Sequence, residues 1–126
     1  MPRYEVRLES QFSAAHALRN YKGGTEPTHE HDFRVTVVVS SSSVDQAGMA
    51  IDFLELKGLL DRETGRLQGT CLNDDVSEFR SNRLSPSAEN IAATLFQRLK
   101  KQLPNDVRLE TVTIGEAPGC SAMYRE

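Results

Sequence analysis

Two stretches of strict alternation limit what this chain can become. From Tyr4 the apolar residues Tyr4, Val6, Leu8 and Phe12 share one parity, and Glu5, Arg7, Glu9 and Gln11 take the other. Residues 29–39 repeat the pattern, with His29, His31, Phe33, Val35, Val37 and Val39 opposite Glu30, Asp32, Arg34 and Thr36. A period of two puts alternate side chains on one face, so each stretch predicts a strand with one buried and one wet face. Asn20-Tyr21-Lys22-Gly23-Gly24 between them is a loop signal. The period then lengthens. Asp52, with Glu55 three residues on in capping-box spacing, predicts a helix start, and Phe53, Leu56, Leu59, Leu60 and Leu67 form its apolar stripe. Ser85-Pro86-Ser87 opens a second helix with a hydroxyl cap and a proline in the first turn. Its stripe is Ile91, Ala92, Leu95, Phe96, Leu99 and Leu103, and Pro104 stands just beyond. Residues 68–85 are expected to form a long surface loop, and residues 107–116 and 120–125 a last pair of strands around Ala117-Pro118-Gly119. The order β-β-α-α-β-β argues an α+β fold, two helices on one face of an antiparallel sheet.

Four strands leave two open edges, and open edges invite pairing. Closing a barrel with further copies of the chain would remove them, so an oligomer is expected. At 126 residues, 1–126 is expected to form one domain. A net charge of −3 is a poor match for a polyanion, because nucleic-acid affinity rests on neutralising phosphates. No apolar run approaches the roughly 18 residues of a membrane span, and Met1-Pro2-Arg3-Tyr4-Glu5 does not resemble a signal peptide. Two cysteines, Cys71 and Cys120, read as free thiols in a reducing compartment, which predicts a cytoplasmic protein.

All three histidines can belong to one site. His29 and His31 are two apart on a predicted strand, so both project from the same face, and His16 ends the neighbouring strand. Three neutral imidazoles with a fourth position open suit a catalytic Zn²⁺. The plainer alternative is a buried, hydrogen-bonded His-x-His pair. Glu116 shares parity with Val112 and Ile114, which puts its carboxylate on the buried face at a strand end. It reads either as an ion pair with a neighbour such as Arg125 or as an anchor for a ligand with two adjacent N–H donors.

Six motifs in order resemble one family. They are Phe12-Ser-Ala-Ala-His16, His29-Glu-His31-Asp-Phe33, Ile51-Asp-Phe-Leu-Glu-Leu-Lys57, Leu72-Asn-Asp74, Pro86-Ser-Ala-Glu-Asn90, and Glu116-Ala-Pro-Gly-Cys-Ser-Ala-Met-Tyr-Arg125. Together they look like the 6-pyruvoyltetrahydropterin synthase and 6-carboxytetrahydropterin synthase family over nearly the whole chain. The resemblance implies the tunnelling (T) fold, with a barrel closed by a trimer and two trimers stacked as a homohexamer. It implies zinc on His16, His29 and His31, a pterin-anchoring Glu116, and Ser87 and Glu89 lining the pterin pocket across a subunit boundary. Zinc in this family makes the side-chain hydroxyls of dihydroneopterin triphosphate more acidic.

The departures are as specific as the matches. The family's usual His-Gly-His pair is His29-Glu30-His31 here, with Glu30 expected on the opposite strand face. Thr25 stands where the family's catalytic cysteine belongs, and Gln68-Gly69 where its Asp-His pair belongs. Glu26, three residues before His29, resembles a variant branch in which a glutamate acts as the base and the product is 6-hydroxymethyldihydropterin; the alternative is a solvated loop glutamate. Cys71 has no neighbour that would activate it as a nucleophile, and Cys120 is expected to pack. The resulting expectation is a zinc-dependent lyase acting on the side chain of 7,8-dihydroneopterin or its triphosphate. Its alternative is a zinc- and pterin-binding relative without synthase activity, or with another pterin-like or purine-like substrate.

Overall fold

The computed structural model describes residues 2–126. Four strands, β1 (Tyr4–His16), β2 (His29–Ser41), β3 (Arg108–Ala117) and β4 (Cys120–Tyr124), form one antiparallel sheet in the order β1-β2-β3-β4. Between β2 and β3 the chain runs through α1 (Phe53–Leu67), a single turn α2 (Leu72–Asp75), a 3-10 turn at Arg80–Asn82, and α3 (Ala88–Lys100). Helix α1 packs on β1, and α3 on β3 and β4. The core fills the space between: Phe12, Phe33, Val35 and Val37 from the sheet meet Leu56 and Leu60 of α1 and Ile91, Leu95 and Leu99 of α3. The expected α+β order and the alternation on β1 and β2 are both observed.

Both helix caps form where expected. The Asp52 carboxylate accepts the Leu54 N–H at 2.8 Å, and the Ser87 hydroxyl accepts the Asn90 N–H at 3.1 Å. Phe53 departs from the stripe expectation, being 62 % exposed. It occupies the first helical position and lines an open groove with Tyr4, Val44 and Met49.

Residues 68–85 run over the surface as expected, but three side chains anchor the segment in the core. Leu72, Val76 and Phe79 are buried in the core, and turns of helix connect them. The polar composition hid three apolar anchors spaced by three or four residues. The segment also covers part of the β1 edge. Gln68 Oε1 accepts the Ser13 N–H at 2.9 Å, Gly69 N–H donates to the Ser13 carbonyl at 2.7 Å, and Ala15 N–H donates to the Thr70 carbonyl at 2.9 Å. Gly69 has φ +74°, which suits a residue without Cβ.

Ion pairs lock this segment to the helices. Glu63 of α1 is only 3 % exposed and pairs with Arg98 of α3, while Gln102 donates to it at 3.0 Å. Glu78 takes two bonds from Arg66 at 3.0 and 3.2 Å. Burial opposes ionisation of both carboxyls. Arg98 and Gln102 at Glu63, and Arg66 at Glu78, outweigh it and hold both below the ordinary value near 4.5. A carboxyl depressed by folding adds stability above its unfolded value, lost as the pH falls through the folded one. The contribution of these two carboxyls to the urea midpoint should therefore be constant above about pH 5 and fall on further acidification, so Glu63→Gln should show a shallower fall below about pH 5. An identical acid limb in that variant would remove Glu63 from the effect.

Candidate metal centre and active site

Strand register assembles the histidines. His16 pairs with His29 across the β1–β2 ladder, and His31 lies opposite Ala14, two positions along the same face. Glu30 faces the other way, exposed opposite Ala15, as expected for a residue between two ligands. The fourth member comes from β3. Gly115 pairs with Ser121 and Ala117 with Cys120, so Glu116 is the extra residue of a β-bulge. Bulges re-aim side chains, and this one sends a carboxylate towards the histidines. Glu116 Oε1 lies 3.0 Å from His16 Nε2 and 3.1 Å from His31 Nε2. One ligand atom from each of His16, His29, His31 and Glu116 lies within 4.8 Å of the others. Arg125, the alternative partner for Glu116, instead points its guanidinium at Met123 Sδ.

Backbone carbonyls set two of the rings. His16 Nδ1 lies 2.7 Å from the Pro86 carbonyl and His29 Nδ1 3.0 Å from the Pro27 carbonyl. Only a ring N–H can bond a carbonyl, so Nδ1 is the donor in each ring, which leaves Nε2 as the atom that would ligate a metal. His16 Nε2 is fully buried and has no hydrogen-bond partner. A buried, unpartnered ring nitrogen aimed at a carboxylate oxygen is the donor set of a metal site, and the four residues fit a divalent ion such as zinc.

The backbone after His16 is held by side chains. Asn73 clasps Ala17 through both its backbone groups, each bond 2.8 Å, and Ser85 Oγ accepts the Arg19 N–H at 2.9 Å. Glu26 Oε1 accepts the Leu18 N–H at 3.0 Å, while its own N–H donates to the Leu18 carbonyl at 3.1 Å. The same Oε1 lies 3.7 Å from His29 Nε2. Glu26 is thus a fixed carboxylate beside the histidines, not a solvated loop residue. On the opposite sheet face Arg34 Nη2 donates to the Ala117 carbonyl at 2.8 Å, bracing the strand just after Glu116. It crosses Gly115, where a Cβ would lie 2.7 Å from that nitrogen. Sequence reasoning missed the carbonyls of Pro27 and Pro86, the Asn73 clasp and the Arg34 brace. Asn73 alone carried a signal, inside the Leu72-Asn-Asp74 motif.

Residues 5–126 match the family model described as 6-pyruvoyl tetrahydropterin synthase. The chain belongs to that family. A relative from Pyrococcus furiosus named dihydroneopterin monophosphate aldolase is 33% identical over 111 residues, 88% of each chain. The 6-carboxy-5,6,7,8-tetrahydropterin synthase of Bacillus subtilis is 28% identical over 127 residues, covering 97% of this chain and 85% of the relative. The solved Caenorhabditis elegans 6-pyruvoyl tetrahydropterin synthase superposes with a TM-score of 0.85 at 25% identity, covering 100% of this chain and 97% of that one. The sheet and its helices are those of the T-fold.

Against that family, this member's replacements have work of their own. Gln68 and Gly69, in place of the Asp-His pair, dock the end of α1 on β1, and Thr25 is exposed. Burial pushes the Cys71 thiol above its ordinary value, and Asp74 adds to the rise, so Cys71 is a poor nucleophile. Cys120, expected to pack, is exposed where β4 begins, because the bulged β3–β4 turn carries it clear of the helices. Ser87 is occupied as the α3 cap, and Glu89 lies exposed in the first turn of that helix. Pro86, which precedes them, touches His16. No described helix is long and apolar enough to cross a membrane.

Proposed function

We propose that this chain is a zinc-dependent carbon–carbon lyase that shortens the side chain of 7,8-dihydroneopterin, or of one of its phosphate esters, to a hydroxymethyl group. The carboxylate of Glu26 beside His29 carries this reading. The name of the Pyrococcus furiosus relative supports an aldolase and adds the monophosphate to the substrates worth testing. Zinc held by His16, His29 and His31 would act as a Lewis acid, making the side-chain hydroxyls more acidic. Glu26 takes the proton from the 2′-hydroxyl as the C1′–C2′ bond breaks and the C2′ oxygen becomes a carbonyl. The electron pair left on C1′ delocalises into the ring, and Glu26 returns the proton there. The products are 6-hydroxymethyl-7,8-dihydropterin and glycolaldehyde, or the matching phosphate ester. Glu116 orients the ring through its adjacent N–H donors, and Ser87 and Glu89 line the pocket from across a subunit boundary.

The assembly in this proposal is a cytoplasmic homohexamer of two stacked trimers, each chain contributing one T-fold pterin-binding domain over 1–126. The unpaired first half of β1 supports it, flanked by an apolar groove that includes Tyr4, Val44, Met49 and Phe53. The second reading is a pterin binder without chemistry, favoured by the structural use of Gln68 and Gly69. A mass-spectrometric product assay decides between them. Metal-loaded protein is incubated with 7,8-dihydroneopterin, its monophosphate and its triphosphate. Formation of 6-hydroxymethyl-dihydropterin from any of the three is expected. A 6-carboxy or 6-pyruvoyl product would overturn the bond assignment, and bound pterin without product would favour the second reading.

A further inference from the structure

The site contains one more electron-pair donor than a catalytic metal needs. Zinc sites that do chemistry hold three protein ligands and leave a fourth position open. Here Glu116 Oε1 sits 3.0 and 3.1 Å from two imidazole nitrogens. A tetrahedral ion with bonds of about 2.0–2.1 Å has ligand atoms about 3.3–3.4 Å apart, so both of these distances are near the spacing of a fourth ligand. Burial at the same place points to an ion. His16 Nε2 is buried, lies 3.0 Å from that carboxylate oxygen and has no hydrogen-bond partner. The same oxygen faces His31 Nε2, and His29 completes the cluster. A divalent ion would satisfy all four donor atoms at once.

Glu116 is also free to leave. Its side chain is 31% exposed, and as the extra residue of a bulge it occupies no rung of the β3–β4 ladder. The Arg34 bond to Ala117 holds the backbone while the side chain turns. We propose that Glu116 is the fourth metal ligand in the pterin-free protein and exchanges the metal for the N–H edge of an arriving pterin ring. Metal and ring then compete for one carboxylate, and ring binding itself opens the fourth coordination position. The exchange rests on the pterin reading above, whereas the ligation does not.

The test uses Co²⁺ as a coloured substitute for zinc and unsubstituted pterin, a ring with no side-chain hydroxyl to replace the lost ligand. Co²⁺ affinity is measured by competition with a chelator, and the visible spectrum reports coordination. Glu116→Gln should weaken Co²⁺ binding by more than about 100-fold, beyond the roughly 10–100-fold that loss of an outer-shell partner costs. Saturating pterin should weaken Co²⁺ binding to the native protein by about tenfold and change its spectrum, and metal should weaken pterin to the same extent by linkage. Glu116→Gln also loses the carboxylate that meets the ring, and pterin raised until it saturates that variant should leave its Co²⁺ affinity unchanged. A loss of no more than about 10–100-fold, or none, overturns the ligation, because an outer-shell carboxylate would account for it. An unchanged spectrum and affinity with pterin bound overturns the exchange and makes Glu116 a permanent ligand. Absence of pterin binding overturns both the exchange and the pterin reading, while the affinity comparison still decides ligation. Circular dichroism of the metal-free proteins checks that Glu116→Gln folds.

Discussion

Glu26→Gln should lower turnover by about 10²–10⁴-fold, the range that general acid–base groups supply, with pterin affinity nearly unchanged. The variant is a clean one. Glutamine keeps an oxygen that can accept the Leu18 N–H, so the 16–19 backbone and the orientation of His16 are retained. What it loses is the capacity to take a proton. Single-turnover kinetics on the substrate identified by the product assay, with pterin binding measured by fluorescence, separate the two effects. Native-like turnover in Glu26→Gln would exclude this carboxylate from the proton transfer.

The second large effect is on stability. Phe79→Ala should cost about 3–5 kcal/mol, the range for truncating a buried phenylalanine. Phe79 is fully buried and sits between the Arg66–Glu78 ion pair and the Arg80–Asn82 turn. The same segment leads to Ser85 and Pro86, whose oxygens bind Arg19 and His16, so metal affinity should fall with stability. Urea denaturation of the metal-free variant isolates the packing cost. A loss no larger than the roughly 0.5 kcal/mol of a surface substitution would show that the segment is not part of the core.

How far the sequence was legible follows from the range of the interactions. Strand parity depends on nearest neighbours, so the shared face of His29 and His31 could be read directly, and His16 followed once β1 and β2 paired. The caps at Asp52 and Ser87 are local too. Residues 68–85 hid their anchors because composition averages over a window, whereas three side chains, Leu72, Val76 and Phe79, decide where this segment lies. The position of Glu116 depends on a bulge against β4, and alternation alone cannot announce an extra residue. Glu26 was visible only as spacing. Its fixed carboxylate arises from Leu18, a contact within a loop whose path no periodicity describes.

The location of all three histidines on one hairpin also affects the denatured chain. Because His16, His29 and His31 are close in sequence, an unfolded chain can still gather them around an ion at a modest loop-closure cost. Only Glu116 and the Pro86 carbonyl require the rest of the molecule. Ligand binding stabilises a fold only to the extent that it favours native over unfolded states. Metal should therefore raise the melting temperature by less than its affinity for the native protein implies, and an early-bound ion can hold β1 and β2 together while the later strands are still unpaired.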